Sequence, residues 1–119
     1  VAPTSDTQRI ERICAAASGF VYYVSLKGVT GAGNLDIASV KDRVSEIRQH
    51  TGLPVGVGFG IKDADTASRM AEIADAVIVG SAIVSRVEAS ADRPKTLGDE
   101  LREFVATLRD AIDRVSAAA

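Results

Sequence analysis

Gly56-Val57-Gly58-Phe59-Gly60-Ile61 lies near the middle of this chain, with Gly28-Val29-Thr30-Gly31 before it and Val79-Gly80-Ser81-Ala82-Ile83 after it. Each segment follows a short run of β-forming residues, and each leads into a helical pattern. Strand, glycine-bearing turn and helix, repeated along a chain, is how a (β/α) barrel gathers backbone N–H groups at one face, where a phosphate can bind. One such turn carries little information. Three in succession, with Gly80-Ser81 opening a helix at the last, point to a phosphorylated substrate.

Working outward, Ser5-Asp6-Thr7-Gln8 has the form of a capping box with Ser5 as N-cap, and Ile10, Ile13, Cys14 and Ala17 then share a helical face up to Gly19. Phe20 to Leu26 is apolar on both faces, which suits a parallel strand covered on both sides. A glycine-bearing loop follows to Leu35. Asp36 then caps a helix with the stripe Ile37, Val40, Val44 and Ile47, ending near Thr51-Gly52. Pro54 to Val57 reads as a second strand, and a helix from about Asp63 turns Ala67, Met70, Ala71 and Ala74 inward. Ala76 to Val79 reads as a third strand, Ser81 to about Val87 as a short helix, and Glu88 to Pro94 as a polar turn. The last helix carries Leu97, Leu101, Phe104, Val105, Leu108 and Ile112 at helical spacing. Alternating β and α with short loops predicts a parallel sheet. A complete (β/α)8 barrel needs about 250 residues, so 119 residues make one partial barrel domain, residues 1–119, under half of the whole.

The composition is globular: 46% hydrophobic, 25% charged, with a net charge of −2 that argues against a nucleic-acid footprint. Cys14 is the sole cysteine, so no internal disulfide forms, and a reducing, cytoplasmic setting is expected. No apolar run reaches membrane-spanning length, and nothing at the start reads as a signal peptide. The first residue is Val1 rather than methionine, from which we expect residues upstream.

Phe20-Val21-Tyr22-Tyr23-Val24-Ser25, Gly28-Val29-Thr30-Gly31, Gly58-Phe59-Gly60-Ile61 and Gly80-Ser81-Ala82-Ile83-Val84, in this order and at these distances, resemble the C-terminal part of the tryptophan synthase α subunit. The resemblance covers essentially the whole chain, from the end of the family's fifth strand (Val1 to Thr4) to its final helix, with strands six to eight between. It implies a TIM (β/α)8 barrel that cleaves indole-3-glycerol phosphate to indole and glyceraldehyde 3-phosphate, a lyase step of tryptophan biosynthesis. Indole then passes to a β subunit that holds PLP; no cofactor is expected in this chain. Residue by residue, Gly31, Gly60, Gly80 and Ser81 match positions that hold the substrate phosphate, and Phe59 matches the aromatic wall of the indole pocket. Tyr22 matches the tyrosine beside the catalytic aspartate, and Thr30 the threonine of the loop that closes the site. The family's catalytic glutamate and aspartate fall upstream of Val1, so this segment alone is expected to bind phosphate without catalysing the lysis.

Plainer readings stand beside these. Glycines serve as turns and caps, Tyr22 reads equally as core, and Thr30 as a loop hydroxyl making a local turn bond. Phe59, between two glycines, is an odd core anchor and reads better as a ring facing a ligand. Asp36, Asp63 and Asp65 are expected to cap helices rather than move protons. His50 reads as solvated, Cys14 as a small buried hydrophobe, and Glu11, Arg12, Arg43, Glu46, Arg48, Arg102, Glu103 and Arg109 as solvated helix faces. No second His or Cys lies at metal-ligand spacing, so no metal site is expected. Two rivals remain: another phosphate-binding barrel, such as a sugar-phosphate isomerase of histidine or tryptophan synthesis, and a non-catalytic half-barrel that binds phosphate and self-associates through exposed strand edges.

Overall fold

In the sequence Val55-Gly56-Val57-Gly58, the two-residue period of a strand sends both valines to one side and leaves the other side bare. A computed structural model describes residues 1–25, 37–58 and 60–118, and this segment is its central strand. Along the chain run α1 (Thr7–Ala16), β1 (Val21–Val24), α2 (Ile37–Arg48), β2 (Val55–Gly58), α3 (Ala64–Ala71), β3 (Ala76–Ile78), α4 (Ser81–Ala89) and α5 (Pro94–Ala118). The sheet order is β1-β2-β3, parallel throughout, with Val24 opposite Gly58 and Gly58 opposite Ile78. Val1 extends the sheet by one residue beyond β1: its amine donates to the Tyr22 carbonyl and its carbonyl accepts from Val24 N, both at 2.9 Å.

The core lies between the sheet and the helices. Val55 and Val57 are 0% and 1% exposed, and Val21 and Tyr23 of β1 join them. Against these pack Ile10 and Cys14 of α1, Val40, Val44 and Ile47 of α2, Ala67 and Met70 of α3, and Phe104 and Leu108 of α5. Burial holds the Cys14 thiol above its ordinary pKa, as a small buried hydrophobe requires.

The expected elements are all present, with revised ends and partners. The N-cap of α1 is Asp6, whose carboxylate accepts from Arg9 N at 2.8 Å, rather than Ser5. Ser5 is buried and its hydroxyl accepts from Ala2 N instead. Helix α1 closes at Ala17, and Gly19 (φ 79°) turns the chain two residues later. Strand β1 is covered on one side only among the described residues: Phe20 and Tyr22 stand exposed, because the core helices pack on the Val21 and Tyr23 side. Helix α4 runs to Ala89 and takes up the start of the expected polar turn. On α5 the buried stripe is Phe104, Leu108 and Ala111, and Val105 lies outside it.

Several groups expected to be solvated have partners. Arg43 reaches the carbonyls of Ala2 (3.1 Å) and Ser5 (2.7 Å) and pairs with Glu46 at 2.6 Å, so it clamps the segment entering α1. His50 is half-buried, with Nδ1 3.6 Å from a Glu11 carboxylate oxygen. Arg48 pairs with Asp75 at 3.1 Å. The same Asp75 carboxylate accepts from Val55 N at 2.9 Å, while Asp75 N donates to Val55 O at 2.9 Å.

That reciprocal pair fastens the start of β2 to the start of β3. The Val55 amide, and after it Arg48, hold the Asp75 carboxyl below its ordinary pKa. A depressed carboxylate pKa adds stability above the unfolded value of about 3.9, and the gain disappears as pH falls through the folded value. Asp75→Ala should therefore cost about 1 kcal/mol near neutral pH, the lower part of the range because the carboxylate is half exposed. Urea unfolding of both proteins at neutral and strongly acidic pH checks this; a gap that does not narrow in acid refutes it.

Candidate phosphate-binding site at the carboxyl ends of the strands

Since Gly58 and Ile78 are register partners, Gly60 and Gly80 each leave the sheet two residues beyond the same level. Adjacent strands lie about 4.8 Å apart, so the two turns rise side by side at one end of the sheet. Gly60 has φ 66°, a left-handed conformation that a side chain would strain by roughly 1–2 kcal/mol. Ile61, 4% exposed, pins this turn to the core.

The helices that follow these turns start in opposite ways. At α3, Asp63 accepts from Thr66 N at 2.9 Å, and Thr66 Oγ1 accepts in return from Asp63 N at 3.2 Å, completing a capping box. These hydrogen bonds hold the Asp63 carboxyl below its ordinary pKa, so it stays ionised and serves the helix, as expected of a cap. Asp65 sits in the first turn and pairs with Arg69 at 3.1 Å. At α4 the N-cap is Gly80, with no side-chain cap and no acidic residue in the first turn. Its carbonyl accepts from Ile83 N (2.9 Å) and Val84 N (3.1 Å), and Gly80 and Ser81 are exposed. The Ser81 and Ala82 N–H groups that precede Ile83 and Val84 have no partner within the helix, so α4 presents positive dipole to solvent where α3 has neutralised its own. A Cβ at Gly80 would meet nothing within 4 Å.

Tyr22 stands on the face of the sheet opposite the core, and its ring leans across β2. A Cβ built on Gly58 would lie 2.8 Å from Tyr22 Cε2 and 3.0 Å from Cζ. Gly58 therefore makes room for this ring, a role not read from the sequence although the Val-Gly-Val-Gly alternation of β2 signals it. The structure brings Gly60, Gly80 and Ser81 to one end of the sheet, with Tyr22 on the face below. Thr30, Gly31 and Phe59, together with Asp36, lie outside the described residues. Two grooves of about 690 and 570 Å3 on the helical side are not lined by Tyr22, Gly60, Gly80 or Ser81. Among the described residues no cluster of His, Cys, Asp and Glu could hold a metal ion, and no helix is long and apolar enough to cross a membrane.

Fold and turns define the class: a segment of a parallel α/β barrel with glycine turns at the carboxyl ends of its strands. The family model for the tryptophan synthase alpha chain matches residues 1–113. The tryptophan synthase alpha chains of Nitrosococcus oceani and Thioalkalivibrio sulfidiphilus are each 55% identical to this chain over 113 residues, 95% of it and 42% of each relative. A crystal structure of the alpha chain from Legionella pneumophila superposes with a TM-score of 0.78 at 32% identity, covering 95% of this chain and 40% of that one. This chain belongs to the tryptophan synthase alpha chain family, and it spans 42% of the length of the curated relatives just named.

Gly58→Ala should displace the Tyr22 ring and destabilise the fold by about 1–3 kcal/mol, the usual cost of overpacking. Adding Tyr22→Ala removes the obstacle, so the two changes should couple favourably by at least about 1 kcal/mol in a double-mutant cycle. Strictly additive unfolding free energies would show that ring and glycine do not meet.

Proposed function

We propose that this chain is the phosphate-holding part of a lyase that cleaves indole-3-glycerol phosphate to indole and glyceraldehyde 3-phosphate. The observation that carries the reading is the level pair of turns at Gly60 and Gly80, beside a helix start left without a carboxylate cap. Backbone N–H groups at α4, the Ser81 hydroxyl and the Gly60 turn hold the phosphate dianion, with Gly31 contributing from the preceding loop. Phe59 and Tyr22 form the wall for the indole ring, and Thr30 belongs to the loop that closes over the substrate.

The reaction is a retro-aldol cleavage. The bond between the indole carbon and the glycerol chain breaks, an acid protonates that indole carbon, and a base takes the glycerol hydroxyl proton as the aldehyde forms. The two carboxylates the resemblance implies for these steps lie upstream of Val1, so this segment alone binds phosphate and does not cleave. What it supplies is positioning: binding energy from the remote phosphate fixes the scissile bond where acid and base act. The expected partner is a tryptophan synthase β subunit that carries PLP and consumes the indole; this chain needs no cofactor of its own and works in the cytoplasm.

Gly80→Asp tests the site. The position has room for a side chain, so the fold should survive, while the new carboxylate repels the dianion and occupies its place. Affinity for glycerol 3-phosphate, read by calorimetry, should fall at least about tenfold, the equivalent of about 1.4 kcal/mol. Unchanged affinity in a folded variant refutes the phosphate assignment. Indole release by a chain that includes the upstream segment, set against isomerase activity on sugar phosphates, separates the lyase from the rival barrel enzymes.

A further inference from the structure

Helix α4 carries the N–H groups assigned to the phosphate, yet none of its own residues is buried. Ala82 and Ile83 are only partly buried against the core, and Val84 and Val87 stand exposed. Its seating therefore depends on what holds its second half. The Arg86 guanidinium lies 3.7 Å from the centroid of the Phe104 ring, a side chain of α5 that belongs to the core. At the C-cap, Ser90 is buried, and its hydroxyl donates to a Glu100 carboxylate oxygen at 2.6 Å. Arg93 and Thr96 hold the other oxygen of that carboxylate, at 3.9 and 3.5 Å.

We propose, resting on the phosphate reading above, that Arg86, Ser90 and Glu100 are positioning residues for the phosphate: they seat α4 on α5 and so aim the Ser81 and Ala82 N–H groups. None of the three is required to touch the ligand. Gly80 and Ser90 are ten residues apart, about 15 Å along a helix, so a swing of about 4° about Ser90 moves the amides by about 1 Å. A misplacement of that size is costly where fixed donors must meet a ligand. Only chains with α4 seated bind well, so the apparent affinity falls with the seated fraction. A cation over a ring at the surface and one charge-assisted hydrogen bond are modest holds, and losing both leaves α4 with little else.

Calorimetric titration with glycerol 3-phosphate tests this, because charge and seating predict opposite signs at Glu100. Removing a carboxylate favours an anion by charge alone, whereas loss of seating weakens binding. Glu100→Ala should bind more weakly than wild type, and the double variant with Arg86→Ala at least about tenfold more weakly. Alanine preserves both helices. Exchange of the Val84 amide, bonded to Gly80 O, should quicken in the double variant. Glu100→Gln keeps an acceptor for Ser90 and should bind as wild type does. Asp75→Ala, destabilising at the other end of the sheet, should leave the affinity unchanged. Glu100→Ala that binds as well as wild type or better overturns the proposal, since any loss in Arg86→Ala is then plain charge attraction. An equal loss in Asp75→Ala also overturns it, because affinity would then follow overall stability. Wild-type chain that binds no glycerol 3-phosphate refutes the phosphate reading and this role with it, whereas failure of the seating alone leaves wild-type binding intact.

Discussion

The alternation of valine and glycine in β2 is the constraint from which the rest of the arrangement follows. Val55 and Val57 are sealed beneath the helices, and the same period leaves Gly56 and Gly58 on the opposite side. Slipping the strand by one residue would turn both valines outward, at about 1.5–3 kcal/mol each. The register with β1 and β3 is therefore firmly set. That register fixes the level at which Gly60 and Gly80 leave the sheet, and the bare side of β2 is where Tyr22 can lie down.

A phosphate site made of backbone amides, as proposed, needs little marking by charge. The chain carries a net charge of −2 and no basic stripe, yet a helix start with unsatisfied N–H groups attracts an anion without a cationic side chain. The contrast between α3 and α4 sharpens this. Asp63 and Thr66 close the start of α3 on itself, whereas Gly80 leaves the start of α4 open. Adjacent strands thus lead into helices of opposite electrostatic availability, and the family's alpha chains are matched across both.

Much of this was legible in the sequence because period and turn chemistry are local. The strand, turn and helix order, the parallel sheet, the Asp63 cap and the burial of Cys14 follow from spacings of a few residues. What was not legible depends on distant partners. Asp6 displaces Ser5 as N-cap because Ser5 is turned back to Ala2, and Arg43 leaves the solvent because the segment entering α1 presents carbonyls to it. Phe20 to Leu26 reads as a strand buried on both sides, yet covering its second face requires a layer that no described element supplies. The ring of Tyr22 over Gly58 is a contact between two strands, invisible in either one alone.

The two ends of the sheet divide the work. At the amino ends, Asp75 joins β2, β3 and the last turn of α2 through one carboxylate, which accepts from Val55 N and Arg48, and one backbone bond from Asp75 N to Val55 O. Nothing there needs to move or to admit a ligand, so hydrogen-bonding capacity can be used up within the chain. At the carboxyl ends the opposite holds. A barrel of this class places its chemistry at that end, and a phosphate can be held only by donors that the fold has left unengaged. The missing side-chain cap at Gly80 is then a deficit in stability at the site, of the order of a few tenths of a kcal/mol against a side-chain-capped helix start. Under the proposed function, an anion held there would recover it and so couple the local order of α4 to occupancy of the site.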